Sequence, residues 1–149
     1  MTNFSKINTI IIEDEIEIQN LLISILKENF PQVTIKGKAR TIKNAIELIK
    51  DEDPELVLMD IELLDGLSFK IFDSISTPSF EVIFITAFEN HIKQALNHFA
   101  MNYIMKPIDK ESLKAAVNHY IQLRSRLFNK EKLNLVRSFN NDKDGRLFI

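Results

Sequence analysis

The chain has 149 residues, 45% of them hydrophobic and 27% charged, with no cysteine and a formal net charge of −2. That length holds one domain with a real core plus a short appendage, and the composition is ordinary for a soluble globular chain. Disulfides and thiolate metal sites are excluded; the mildly acidic balance argues against a chain that itself grips nucleic acid; and no apolar run suits a signal peptide or a bilayer span, so a cytoplasmic protein with no membrane contact is expected.

Thr9 to Ile12 is a β-branched run that reads as a buried strand ending at Glu13-Asp14-Glu15. Ile18, Leu21, Leu22, Ile25 and Leu26 follow i, i+3, i+4 spacing, the mark of an amphipathic helix, which Pro31 stops. Val33 to Lys38 alternates apolar and polar residues, as an edge strand does. Thr41 is placed to cap a helix carrying Ile42, Ala45, Ile46 and Ile49 on one face. Beyond Pro54, Glu55 to Met59 forms a third strand ending at Asp60. Gly66 is expected to open a helix with Leu67, Ile71, Phe72 and Ile75 inward. After Pro78 a strand over Glu81 to Ile85 ends at Thr86. Ile92, Ala95, Leu96 and Phe99 mark a short helix, and Asn102 to Met105 a fifth strand ending at Lys106-Pro107. Asp109 can cap a last helix that buries Leu113, Val117, Tyr120 and Ile121.

Five strands alternating with five helices predict a doubly wound α/β fold with a five-stranded parallel sheet. Residues 1–126 are expected to form that domain. Residues 127–149 are expected to be a helical linker followed by the start of a second domain: Asn129 to Asn140 is helix-permissive, Asn141 to Gly145 is a polar turn, and Arg146 to Ile149 resembles the beginning of a strand.

The chemistry-bearing residues share one kind of place. Glu13 and Asp14 follow the first strand, Asp60 the third, Thr86 the fourth and Lys106 the fifth. In a parallel sheet these carboxyl ends lie along one edge, where open α/β sheets bind ligands. Three carboxylates held close raise one another's pKa unless a cation shares the site. Hard oxygen donors with room for water suit Mg²⁺, which would keep Asp60 ionised and nucleophilic and neutralise an incoming phosphoryl group. Lys106 and the Thr86 hydroxyl can address the phosphoryl oxygens. These are the parts that formation of an aspartyl phosphate needs.

Taken together, Glu13-Asp14-Glu15, Asp60-Ile61-Glu62, Thr86-Ala87 and Tyr103-Ile104-Met105-Lys106-Pro107 resemble the receiver domain of two-component response regulators, the CheY-like family, over roughly residues 7–126. The resemblance implies the flavodoxin-like strand order 2-1-3-4-5. It implies Asp60 as phospho-acceptor for a histidine kinase, with Asp14 as direct Mg²⁺ ligand and Glu13 as second acid, often acting through water. Glu62 would lend its main-chain carbonyl to the metal. Thr86 is the implied switch hydroxyl, Lys106 the phosphate-binding lysine, Tyr103 the aromatic that turns inward on activation, and Lys106–Pro107 a cis peptide. Such a domain is a regulatory phospho-acceptor rather than an enzyme with turnover, and it would switch and dimerise through its fourth helix, fifth strand and fifth helix. Two departures stand out. Glu13 replaces the family's usual Asp, and the loop after Asp60 lacks the usual proline and looks shortened. Asp60 to Phe69, the long helical stretch after Lys110 and Arg146 to Ile149 further resemble regulators of the LytTR type, in which a β-rich DNA-binding domain follows the receiver.

Each residue alone has a plainer reading. Asp60 could cap a turn, Glu13 to Glu15 could be a solvated helix start, Thr86 a strand end, Lys106 a surface charge, and Tyr103 plain core. A flavodoxin-like cofactor binder would want a Ser/Thr/Gly-rich loop where Glu13-Asp14-Glu15 stands. A haloacid-dehalogenase-type phosphatase needs a second Asp where Glu62 stands. A phosphorylation-independent receiver acting only as an interaction module is the remaining alternative.

Overall fold

The structure, a computed structural model, describes residues 6–75, 78–87, 90 and 102–143. Five parallel strands form one sheet: β1 (Ile7–Ile12), β2 (Val33–Ala39), β3 (Leu56–Asp60), β4 (Glu81–Thr86) and β5 (Asn102–Met105). Their spatial order is β2-β1-β3-β4-β5, the doubly wound order expected. The helices are α1 (Ile16–Asn29), α2 (Ile42–Glu52), the single turn α3 (Ile71–Ser74) and α4 (Lys110–Lys143). The expected helix on Ile92, Ala95, Leu96 and Phe99 lies outside the described residues. No helix among the described residues is long and apolar enough to cross a membrane.

The central strands have no polar alternation because both of their faces are covered. Every residue of β3 is buried, and in β4 only Glu81 is exposed. β2, at the edge, stays half-exposed. Its register against β1 shifts between Thr9 and Ile10, so that Ile35 pairs with Thr9 and Gly37 with Ile10. A Cβ on Gly37 would stand 2.7 Å from Leu48 Cδ1, so the Leu48 side chain of α2 would have to shift to admit one. On this side of the sheet Ala45 and Ile49 of α2 pack with Ile10, Ile12, Val57, Met59, Phe84 and Ile71 in one cluster.

α2 is capped as its sequence predicts, Thr41 Oγ1 accepting from the Asn44 N–H at 3.1 Å. Asp109 caps α4 in the same way, its Oδ2 accepting from Ser112 N at 3.1 Å. Leu113, Val117 and Tyr120 are buried, as their spacing predicts. α4 runs on through Lys143, so the expected polar turn begins as helix, and Arg146 to Ile149 lies outside the described residues. The chain divides into two compact units, Met1–Ala116 and Val117–Ile149.

Two expectations are corrected. Leu21 was expected on the buried face of α1 but is 42% exposed, whereas Gln19 is buried. The buried arc centres on Gln19, Leu22, Ile25 and Leu26, and Leu21 falls a quarter-turn to its side. Gly66 does not open a helix. Glu62–Leu63 and Gly66–Leu67 form a small antiparallel hairpin, followed by a 3-10 turn (Ser68–Lys70) and α3. One cause is local and the other distant. Gly66 takes φ +138°, a backbone state that side chains resist. Asp65 at the hairpin tip accepts from the N–H groups of Ile42 (2.8 Å) and Lys43 (3.4 Å), so it serves the start of α2 rather than a helix of its own. The apolar residues still reach the core: Ile71 is buried, and Leu67, Phe72 and Ile75 pack against it.

Candidate functional site

Strand register delivers the candidate residues to one edge. Asp60 ends β3 opposite Ile85 of β4, and Thr86 ends β4 opposite Met105 of β5. Hydrogen bonds continue the ladder one residue beyond the strands: Glu13 N donates to Ala39 O (2.9 Å), Ile61 N to Ile85 O (3.1 Å) and Lys106 N to Thr86 O (2.8 Å). The backbone that carries the acids and the lysine is therefore held by the sheet itself. The Lys106–Pro107 peptide is cis.

At the centre of this edge Lys106 Nζ lies 3.0 Å from Asp60 Oδ2 and 3.0 Å from Glu13 Oε1. The first contact is a directed hydrogen bond; the second is an ion pair that leaves Glu13 Oε1 buried without one. The other oxygens are also engaged: Glu13 Oε2 accepts from Glu15 N at 3.0 Å, and Asp60 Oδ1 from Glu62 N at 3.2 Å. Glu13, Asp60 and Thr86 are all buried, and Asp14 is half-exposed beside them. One carboxylate oxygen from each of Glu13, Asp14 and Asp60 lies within 4.8 Å of the others. Such a set of three clustered hard oxygen donors fits a divalent cation.

Charge in this site is governed by burial. It pushes the Glu13 carboxyl up to about 8; its hydrogen bond with Asp14 and the Asp60 charge add to the rise, and the Glu15 N–H and Lys106 oppose it. Asp60 is also raised, first by burial, against the hydrogen bond and charge of Lys106 and the Glu62 N–H. For Lys106 burial works to lower the pKa, but its bonds to Asp60 and Glu13 outweigh that and hold it above the ordinary lysine value. Lys106 is thus the cation that lets two buried acids stand side by side.

A pH dependence follows. Glu13 holds its proton more tightly folded than unfolded, so its contribution to stability is fully present below about 4.5 and is lost as pH rises through about 8. Asp60 acts in the same direction, and Lys106 stays charged throughout. With a chelator present, thermal melts of the protein should show stability falling between pH 5 and pH 8. Glu13→Gln should flatten that fall, and identical slopes for the two proteins would contradict it.

Tyr103 is not part of the cluster. It pairs with Phe84 in register and is 37% exposed. Three polar residues that the sequence did not single out help to build the site. Gln19 Nε2 donates to Glu13 O at 2.7 Å, Arg40 Nε donates to Asp14 O at 2.8 Å, and Asp65 anchors the hairpin that follows the acceptor. Gln19 could have been found as a polar residue on the apolar face of α1; Arg40 and Asp65 carry no local signal.

A doubly wound sheet with an acid cluster and a lysine at its carboxyl edge defines a class that comparison with known proteins narrows. The model of the response regulator receiver domain matches residues 9–118, and the chain belongs to that family. It is 30% identical over 132 residues to the transcriptional regulatory protein CitB of Klebsiella pneumoniae, a match covering 85% of this chain and 56% of that one. It is 28% identical over 118 residues to the sensory transduction protein LytT of Bacillus cereus, covering 76% of this chain and 47% of LytT. The chain therefore spans about half the length of these relatives. Among solved structures, a CheY-like receiver domain protein from Methanospirillum hungatei superposes with a TM-score of 0.70 at 22% identity, covering 81% of this chain and 98% of the other, a likeness of fold.

Proposed function

We propose that this receiver accepts a phosphoryl group on Asp60 from the phosphohistidine of a histidine kinase and passes the signal on as a change of surface. The observation that carries the reading is the placement of Lys106 Nζ at 3.0 Å from both Asp60 and Glu13 at the carboxyl edge of the sheet. An Asp oxygen attacks phosphorus; the Asp60 Oδ–P bond forms, the donor's N–P bond breaks, and its electron pair leaves with the imidazole. Asp14 and Asp60 would hold Mg²⁺ directly, with Glu13 as the second acid and the Glu62 carbonyl completing the protein's share. The metal, when bound, supplies neutralisation of the charge on the transferring group. Glu62 N–H keeps one acceptor oxygen oriented, and Lys106 exchanges its carboxylate partners for phosphoryl oxygens.

Thr86, buried at the end of β4, then turns its hydroxyl toward the phosphoryl group, and the exposed ring of Tyr103 turns inward. This would bias a two-state surface formed by β5 and its neighbouring helices and favour a homodimer. In the whole protein the readout is proposed to be DNA binding by a LytTR-type domain that follows a helical linker beginning at residue 127, in the cytoplasm. The names of the curated relatives, a transcriptional regulator and LytT, support that reading. Beryllofluoride, a phosphoryl mimic, tests the switch. With Mg²⁺ it should shift the amide resonances of Asp60, Thr86, Tyr103 and Lys106. A spectrum unchanged by it would favour a phosphorylation-independent interaction module.

A further inference from the structure

Asp14 is the least buried of the three acids, and it makes its direct metal contact in the proposed function from a loop. Its side-chain direction depends on the two peptide planes that flank its Cα. Both planes are pinned, by groups from three separate positions along the chain. The carbonyl of the first plane, Glu13 O, accepts from Gln19 Nε2 at 2.7 Å, and Gln19 is a buried residue in the first turn of α1. The carbonyl of the second plane, Asp14 O, accepts from Arg40 Nε at 2.8 Å, and Arg40 lies between β2 and α2. The N–H of that same plane, at Glu15, donates to Glu13 Oε2 at 3.0 Å. With both planes fixed, neither φ nor ψ of Asp14 is free to turn.

We infer that Gln19 and Arg40 are positioning residues for the cation site: they lock the Asp14 backbone so that its carboxylate is aimed before the metal arrives. The inference rests on the proposed role of Asp14 as a Mg²⁺ ligand. Neither residue touches the metal or the phosphoryl group. Their effect is to spare the metal the ordering of a loop, and partners one step removed from a metal typically change its affinity by about 10–100-fold. Gln19 contributes more than Arg40, because its bond is buried and water cannot replace it, whereas Arg40 is exposed.

The test is calorimetric titration of the full chain with Mg²⁺ alone, on wild type, Gln19→Met, Arg40→Ala and Arg40→Lys. Gln19→Met keeps the length of the side chain and removes the donor. It should raise the Mg²⁺ Kd by about tenfold. Acetyl phosphate labelling of the same variant should need correspondingly more Mg²⁺ for half-maximal rate and approach the wild-type rate once Mg²⁺ saturates. Arg40→Ala should raise Kd several-fold, and Arg40→Lys, which keeps a donor, should recover most of the loss. Arg40 is exposed, so its variants decide the matter even if Gln19→Met folds poorly. Mg²⁺ binding by wild type with the same Kd in the folded variants overturns the inference alone. Absence of Mg²⁺ binding by wild type overturns the metal reading beneath it, and the inference with it.

Discussion

Lys106→Met should slow labelling by acetyl phosphate by about 100-fold, the scale of removing one preorganised charge from a transferring group. Lys106 stands 3.0 Å from the acceptor carboxylate, so no other described cation can replace it there. The same substitution leaves Glu13 and Asp60 buried against each other without their cation. Breaking a buried pair in this way costs about 3 kcal/mol of stability in metal-free protein. The cost has a pH signature. Without Lys106 both acids keep their protons to higher pH when folded, and holding them costs more as pH rises. The loss should therefore be larger at pH 8 than at pH 5, which denaturant unfolding at the two values checks. A loss that shrinks toward pH 8 would contradict the account of Lys106 as the cation of the site.

Phe84→Ala should be the most damaging of the core substitutions, by about 3–5 kcal/mol. Among the described residues, Phe84 is the largest fully buried side chain. It lies on β4 between Met59 of β3 and Tyr103 of β5 in register, and its ring meets Phe69 edge-on with centroids 5.4 Å apart. Little else can collapse into the space, because its neighbours belong to strands held by the ladder. The melting temperature should fall by on the order of 10 °C. Phe84 packs in the apolar cluster and not in the acid–lysine site, so protein that remains folded in the cold should still label with Mg²⁺. Calorimetric melting and cold labelling separate these effects, and a melting temperature within a degree or two of wild type would contradict the packing described.

Much of this molecule was legible in its sequence because the informative parts are periodic or local. Ile10 to Ile12 and Val82 to Ile85 are apolar throughout, which only a strand covered on both faces tolerates, and Thr41 and Asp109 cap helices through bonds to N–H groups three residues on. The order of acids, hydroxyl and lysine at strand ends was legible for the same reason: a parallel sheet places all its carboxyl ends together. What failed was decided at a distance. Leu67, Ile71 and Ile75 have helical spacing, but Asp65 is committed to the N–H groups of Ile42 and Lys43, more than twenty residues earlier, and Gly66 takes a turn conformation. Likewise Gln19 and Arg40 act on main-chain carbonyls, which no side-chain motif records. The raised pKa of Glu13 was expected from repulsion among three acids; burial proves the larger cause, and Lys106 relieves it before any metal is considered.

The central claim is that Asp60 accepts a phosphoryl group with the help of a divalent cation, and intact mass after incubation with acetyl phosphate and Mg²⁺ tests it most directly. Wild type should gain the mass of one phosphoryl group, sensitive to hydroxylamine as an acyl phosphate is, and should gain none in the presence of a chelator. Asp60→Asn, which keeps the shape but not the nucleophile, should gain none under either condition. Equal labelling of Asp60→Asn and wild type, or a wild type that stays unlabelled with Mg²⁺ in excess, would contradict the account.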